Sequence, residues 1–83
     1  MKVVGKGKYN DKLILVGRKI AYYRKLRGYT QLELSEKANL SKNYLSLVER
    51  PGKATALSLE TLFLLADILE VPASKFLEME KEK

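Results

Sequence analysis

Eighty-three residues, 46% of them hydrophobic and 31% charged, with 5 Gly and 2 Pro, fit one small globular domain rather than a disordered chain. The chain has no cysteine and no histidine, which excludes disulfides and thiolate metal sites and removes the commonest metal ligand and general base. Neither an enzyme nor a metal or other cofactor is therefore expected.

The net charge of +6 is divided unevenly: residues 1–53 hold thirteen Lys or Arg against four acids, a net +9, and residues 54–83 three against six, a net −3. Two readings fit: a polyanion faces the first half, or the lysines serve solubility alone. No apolar run approaches the roughly 18 residues that span a bilayer. The first twelve residues, "MKVVGKGKYNDK", lack the apolar region of a secretory signal. A soluble, cytoplasmic protein with no membrane partner is the expectation.

Residues 1–11 show no periodicity and carry Gly5 and Gly7 between lysines. They predict a flexible basic arm, with Val3-Val4 as a short extended piece; "GKGK" lacks the spacing of a phosphate loop. The folded domain is expected over residues 12–78, followed by a charged tail, 79–83.

From Leu13 the apolar positions 13, 16, 20 and 23 mark one face of a helix, with Arg18, Lys19, Lys25 and Arg27 between them. Gly28 suits the position just past its end. Tyr29 either turns back onto the core or stands exposed. Thr30-Gln31-Leu32-Glu33 has the form of a capping box, opening a short helix that buries Leu34 and Ala38. Asn39 tolerates the left-handed backbone of a tight turn, and Ser41 is a good N-cap for the next helix. That helix buries Leu45 and Val48. Both helices fall short of the roughly 12 residues at which an isolated helix becomes even marginal in water, so their stability must come from neighbours. The second of them presents Lys42, Asn43, Tyr44 and Ser46 where a core helix would carry fewer polar groups.

"RPGKATA", residues 50–56, is a breaker-rich loop. Ser58 caps "LETLFLLADILEV", in which Leu59, Leu62, Phe63, Ala66 and Leu69 are expected to share one face, with Leu64 and Ile68 nearly opposite. A helix apolar on two sides needs a second burial partner. Another subunit, the first helix or the last helix would serve, and a homodimer through Leu64 and Ile68 is the reading adopted. Pro72 begins a last short helix, "PASKFLEME", with Phe76 and Leu77 as anchors.

Two short helices joined by a tight turn form a helix-turn-helix unit, whose second helix can enter the DNA major groove. Periodicity alone also allows an ordinary helical bundle. "GRKIAYYRKLRGYTQLELSEKANLSKNYLSLVER" followed by "SLETLFLLADILEVPASKFL" resembles the Cro/cI-type helix-turn-helix family of phage repressors and XRE-like bacterial regulators. The resemblance implies an all-α, compact five-helix, lambda-repressor-like domain that binds double-stranded DNA and regulates transcription. A homodimer would set a recognition helix, residues 42–50, in each of two major grooves of a palindromic operator. It would repress by occluding polymerase or activate by touching it.

The same resemblance assigns roles. Lys42, Asn43, Ser46 and Leu47 would face bases: lysine donates to guanine O6 or N7, asparagine bonds adenine, and an apolar side chain suits a thymine methyl. Gln31, Arg50 and Lys53 would meet the backbone, with Arg18 and Lys12 weaker candidates. Tyr44 would either touch the backbone or pack against the turn. Arg24 and Glu49 match an ion pair that positions the recognition helix. Asn39 and Ser35 replace the usual glycine and alanine, and the loop after Arg50 is longer than usual. The arm either lies along DNA or is a disordered end or a vector remnant. The rival reading is a protein-interaction module on the same fold, an antitoxin or a bridging factor; polarity at the front of the second short helix favours DNA.

Overall fold

Helix α1 spans Asn10–Leu26 in the computed structural model, which describes residues 7–79. It starts two residues before the expected domain boundary at residue 12, after a turn in which the Asn10 N–H donates to the Gly7 carbonyl. Most of the expected arm, with Val3-Val4, lies outside the described residues. Val16 and Ile20 are buried on the face read from the sequence, while Leu13 and Tyr23 are half-buried. Gly28 ends the helix at φ 81°, and its N–H and that of Tyr29 satisfy the carbonyls of Lys25 and Arg24, as expected of a C′ glycine.

α2 (Gln31–Ala38) opens with the reciprocal cap: Thr30 Oγ1 accepts from the Glu33 N–H at 3.0 Å, and Glu33 Oε1 accepts from the Thr30 N–H at 2.9 Å. Asn39 then takes the left-handed conformation, φ 56° and ψ 41°. α3 (Lys42–Glu49) starts from Ser41, whose Oγ accepts the Tyr44 N–H at 2.9 Å. α4 (Leu59–Leu69) repeats the device with Ser58 and the Thr61 N–H. Such a cap stabilises a helix by about 1 kcal/mol. α5 is the single turn Ser74–Leu77. These five helices are the regular structure among the described residues.

Every helix contributes to one core. Ile20, Leu34, Leu45, Leu65, Leu69 and Phe76 have no exposed surface, and each such burial contributes about 1.5–3 kcal/mol. α3 packs on both α1 and α2, which is how two eight-residue helices persist. Two expectations about apolar faces need correction. α4 buries Leu62, Leu65, Ala66 and Leu69, whereas Leu59 and Phe63 are 61% and 50% exposed. In a run apolar all round, periodicity does not choose a face; packing against α1 and α2 turned it toward Leu65. In α5 Phe76 is the anchor and Leu77 faces out at 46% exposure, since one turn can offer the core only one large side chain. At the carboxyl end, Met79, assigned to the charged tail, packs partly on the core; residues 80–83 lie outside the described residues.

Two contacts that set the helix arrangement join residues far apart in the sequence. Gly17 lies where α1 meets the end of α3, and a Cβ there would stand 1.9 Å from the Val48 carbonyl oxygen. Arg27 reaches across to the end of α4, its Nε donating to the Leu69 carbonyl at 2.6 Å and its Nη2 to that of Glu70 at 3.0 Å. Those carbonyls terminate a helix and lack intrahelical partners.

Candidate nucleic-acid interface

The site is built around α3, one side of which is fixed. Leu45, Val48 and Glu49 are buried. Glu49 accepts from Arg24 Nε and Nη2 at 2.8 and 2.9 Å, a bidentate pair between α1 and α3. The Arg24 Nη1 donates to the Tyr29 carbonyl, and Gln31 Nε2 donates to Glu49 Oε1 at 2.9 Å. One carboxylate thus joins α1, α2 and α3. Breaking a buried pair of this kind leaves an uncompensated charge and costs about 3–5 kcal/mol. The ion pair read from the sequence is therefore present, with Gln31 as an unforeseen third member. Gln31 keeps a second N–H that this bond does not use.

The other side of α3 is open. Lys42 and Asn43, the first two helical residues, are exposed, and Ser46 and Leu47, one turn on, are half-buried. Ser41 holds the Tyr44 N–H, so the Lys42 and Asn43 side chains stand free of the capping bond. The four candidate base-contacting residues lie on this one short helix. Nothing among the described residues seals Lys42 and Asn43 from solvent.

Tyr44 leans on the core and on the loop that follows α3. Its ring packs partly on the core and its hydroxyl donates to the Ala56 carbonyl at 3.0 Å. Burial pushes its phenol above the usual 10.0. While it donates to Ala56, that hydroxyl has no second proton to give a phosphate. Sequence periodicity left this open because the acceptor lies in an irregular loop.

Beside α3 an open groove is lined by Ser46, Leu47, Arg50, Gln31 and, from α1, Arg18, Tyr22 and Lys25. Arg18 and Arg50 thus share a groove with Ser46 and Leu47 of α3. Lys53 lies further along the loop and is exposed. Arg18, Lys25, Lys42, Arg50 and Lys53 enter no salt bridge among the described residues. Tyr22 and Lys25 were not among the expected contacts, although their spacing of four and seven from Arg18 places all three on one helical face. On α4 Leu64 is 40% exposed, but Ile68 packs partly on the core. Of the two residues proposed for a subunit contact, Leu64 is the freer. No group of acids that could hold a metal ion occurs among the described residues, and no helix is long and apolar enough to cross a membrane.

A helix-turn-helix family model matches residues 20–76, from the middle of α1 through Phe76. The chain belongs to that helix-turn-helix family. Among curated relatives, the HTH-type transcriptional regulator SinR of Bacillus subtilis (strain 168) is 37% identical over 68 residues, 82% of this chain and 60% of SinR. The immunity repressor protein of Bacillus phage phi105 is 44% identical over 59 residues, 71% of this chain and 40% of the repressor. The chain thus spans about 60% and 40% of the length of these relatives. Among solved structures, SinR in complex with DNA superposes with a TM-score of 0.70 at 38% identity, covering 76% of this chain and 98% of that one. The restriction-modification controller protein C.AhdI from Aeromonas hydrophila gives 0.69 at 25% identity, over 77% and 94%. The all-α, five-helix, lambda-repressor-like fold implied by the resemblance is the fold of this helix-turn-helix chain.

Proposed function

We propose that the chain is a sequence-specific double-stranded DNA-binding transcriptional regulator that acts as a homodimer with α3 in the major groove. The observation that carries this reading is the division of α3: a buried face locked by Arg24, Glu49 and Gln31, and an exposed amino-terminal turn bearing Lys42 and Asn43. In the proposal Lys42 and Asn43 read base edges, and Ser46 and Leu47 fill the next turn of the groove. Gln31, Arg50, Lys53 and Arg18 neutralise phosphates. The similarity to SinR, whose structure includes DNA, supports the same reading.

The dimer would form through the exposed apolar surface of α4, with Leu64 central and Ile68 at its edge. Two α3 helices would then address half-sites about one helical turn, roughly 34 Å, apart. Selection of bound sites from random duplexes tests the whole proposal. The expected product is a palindrome with that spacing, and recovery of no preferred sequence would refute it. The rival, a protein-interaction module, needs an apolar front on α3; exposed Lys42 and Asn43 argue against it.

A further inference from the structure

We propose that Tyr44 and Thr55 latch the loop of residues 50–56 onto α3, so that Tyr44 acts as a positioning residue for the loop's cations. The inference rests on the DNA-binding reading above.

The loop contains Pro51 and Gly52, both exposed, and beyond its chain neighbours nothing lies within 4 Å of a Cβ built on Gly52. Its turn is therefore unsupported on the solvent side. Support comes from α3 instead. The Tyr44 hydroxyl donates to the Ala56 carbonyl at 3.0 Å, and the Thr55 hydroxyl donates to the Leu47 carbonyl at 3.1 Å. The carbonyl that Thr55 takes belongs to the last turn of α3, where carbonyls lack the usual helical partner; the Arg50 N–H shares it more weakly, at 3.3 Å. Both tethers fall at the far end of the loop, beyond Lys53, while Arg50 is joined directly to α3. The segment with the two cations is thus pinned at both ends.

Charge gives the pinning a use. Residues 50–57 contain Arg50 and Lys53 and no acid, and neither cation enters a salt bridge among the described residues. A loop that must be ordered when DNA arrives loses affinity to that ordering. Held against α3 beforehand, it meets the phosphates with its conformational freedom already restricted. The two hydroxyls contribute geometry, and the cations contribute the attraction.

Tyr44→Phe keeps the ring and removes the tether. With a selected duplex and a random duplex titrated at several salt concentrations, both affinities should fall by the same factor, about three- to tenfold, the scale of one hydrogen bond. The salt dependence should become shallower by up to about one unit of slope as Lys53 disengages. Adding Lys53→Ala to Tyr44→Phe should then cost little more, and Thr55→Val should act in the same direction. Without DNA, amide exchange over residues 52–56 should quicken in Tyr44→Phe while the core of α1 and α4 stays protected.

An unchanged salt slope, or losses from Tyr44→Phe and Lys53→Ala that simply add, would overturn the latch. A changed preference at one base pair would overturn it too, by making Tyr44 a DNA contact. If the unaltered chain binds duplexes and only the Tyr44 result fails, the latch alone is wrong. If it binds none, the DNA reading fails and the latch falls with it.

Discussion

α3 and α4 begin with the same device and end with opposite surfaces. Ser41 and Ser58 each accept the backbone N–H three residues on, at 2.9 and 3.0 Å. Beyond the cap, their solvent sides diverge. α3 shows Lys42 and Asn43, while α4 shows Leu59, Phe63 and Leu64 around Glu60 and Asp67. The cap settles where a helix starts; the residues left outside settle what it can meet. Polar donors suit base edges, whereas branched and aromatic carbon suits another apolar surface.

The comparison breaks first at the network that orients α3. Arg24→Ala leaves Glu49 buried without its bidentate partner, and urea denaturation should show a loss of about 3–5 kcal/mol. A loss below about 1 kcal/mol would mean that the pair is not needed to hold α3. Gly17→Ala should be at least as severe, about 3 kcal/mol or more, because the new methyl meets the backbone carbonyl of Val48 and only a shift of α1 against α3 relieves it. Its effect on DNA affinity, measured where the protein is still folded, should exceed that of a core change confined to α4–α5, since only the former tilts α3.

Lys42→Ala tests the outward face without touching the inward one. Thermal stability should stay within about 0.5 kcal/mol, while binding to the selected site falls by about 1–3 kcal/mol and preference relaxes at one base pair. Equal weakening on every duplex would reassign Lys42 to a phosphate. Ser41→Ala and Ser58→Ala form a matched pair, each costing about 1 kcal/mol of stability. Only Ser41→Ala should alter DNA binding in addition, because only that cap sets the turn carrying Lys42 and Asn43. The smallest effect on the fold is expected from Leu64→Glu, within about 0.5 kcal/mol. Sedimentation should nonetheless show it shifting any dimer toward monomer; a dimer that persists moves the contact to another surface.

What could be read in the sequence was local. Thr30, Asn39, Ser41 and Ser58 act on backbone within three residues of themselves, so their types and spacing announced the turns and helix starts that are seen. Leu34, Leu45 and Val48 were legible because polar residues separate them. At Leu59 and Phe63 of α4 periodicity points to the wrong side, as an unbroken apolar run holds no information on which side the rest of the chain occupies. Gly17 and Arg27 act on partners thirty-one and forty-two residues away, beyond any spacing rule. A glycine inside a helix that otherwise costs about 1 kcal/mol relative to alanine was a signal for close approach that went unused. The exposed side of α3 followed from the resemblance together with the polarity of Lys42 and Asn43. The tether of Tyr44 did not, because its acceptor is a loop carbonyl.

The Phe76 ring stacks edge-on to Tyr23 of α1 with ring centres 5.3 Å apart and is fully enclosed, and Arg27 holds the carbonyls of Leu69 and Glu70. The plug of the hydrophobic interior is thus among the last segments of this stretch to be synthesised. Because domains generally fold as units, the expected consequence during synthesis is that α1 to α3 emerge with their apolar side unsealed and stable collapse waits for the residues around position 76. A nascent chain arrested before that point should remain sensitive to protease, and it should gain resistance abruptly once Phe76 clears the exit tunnel.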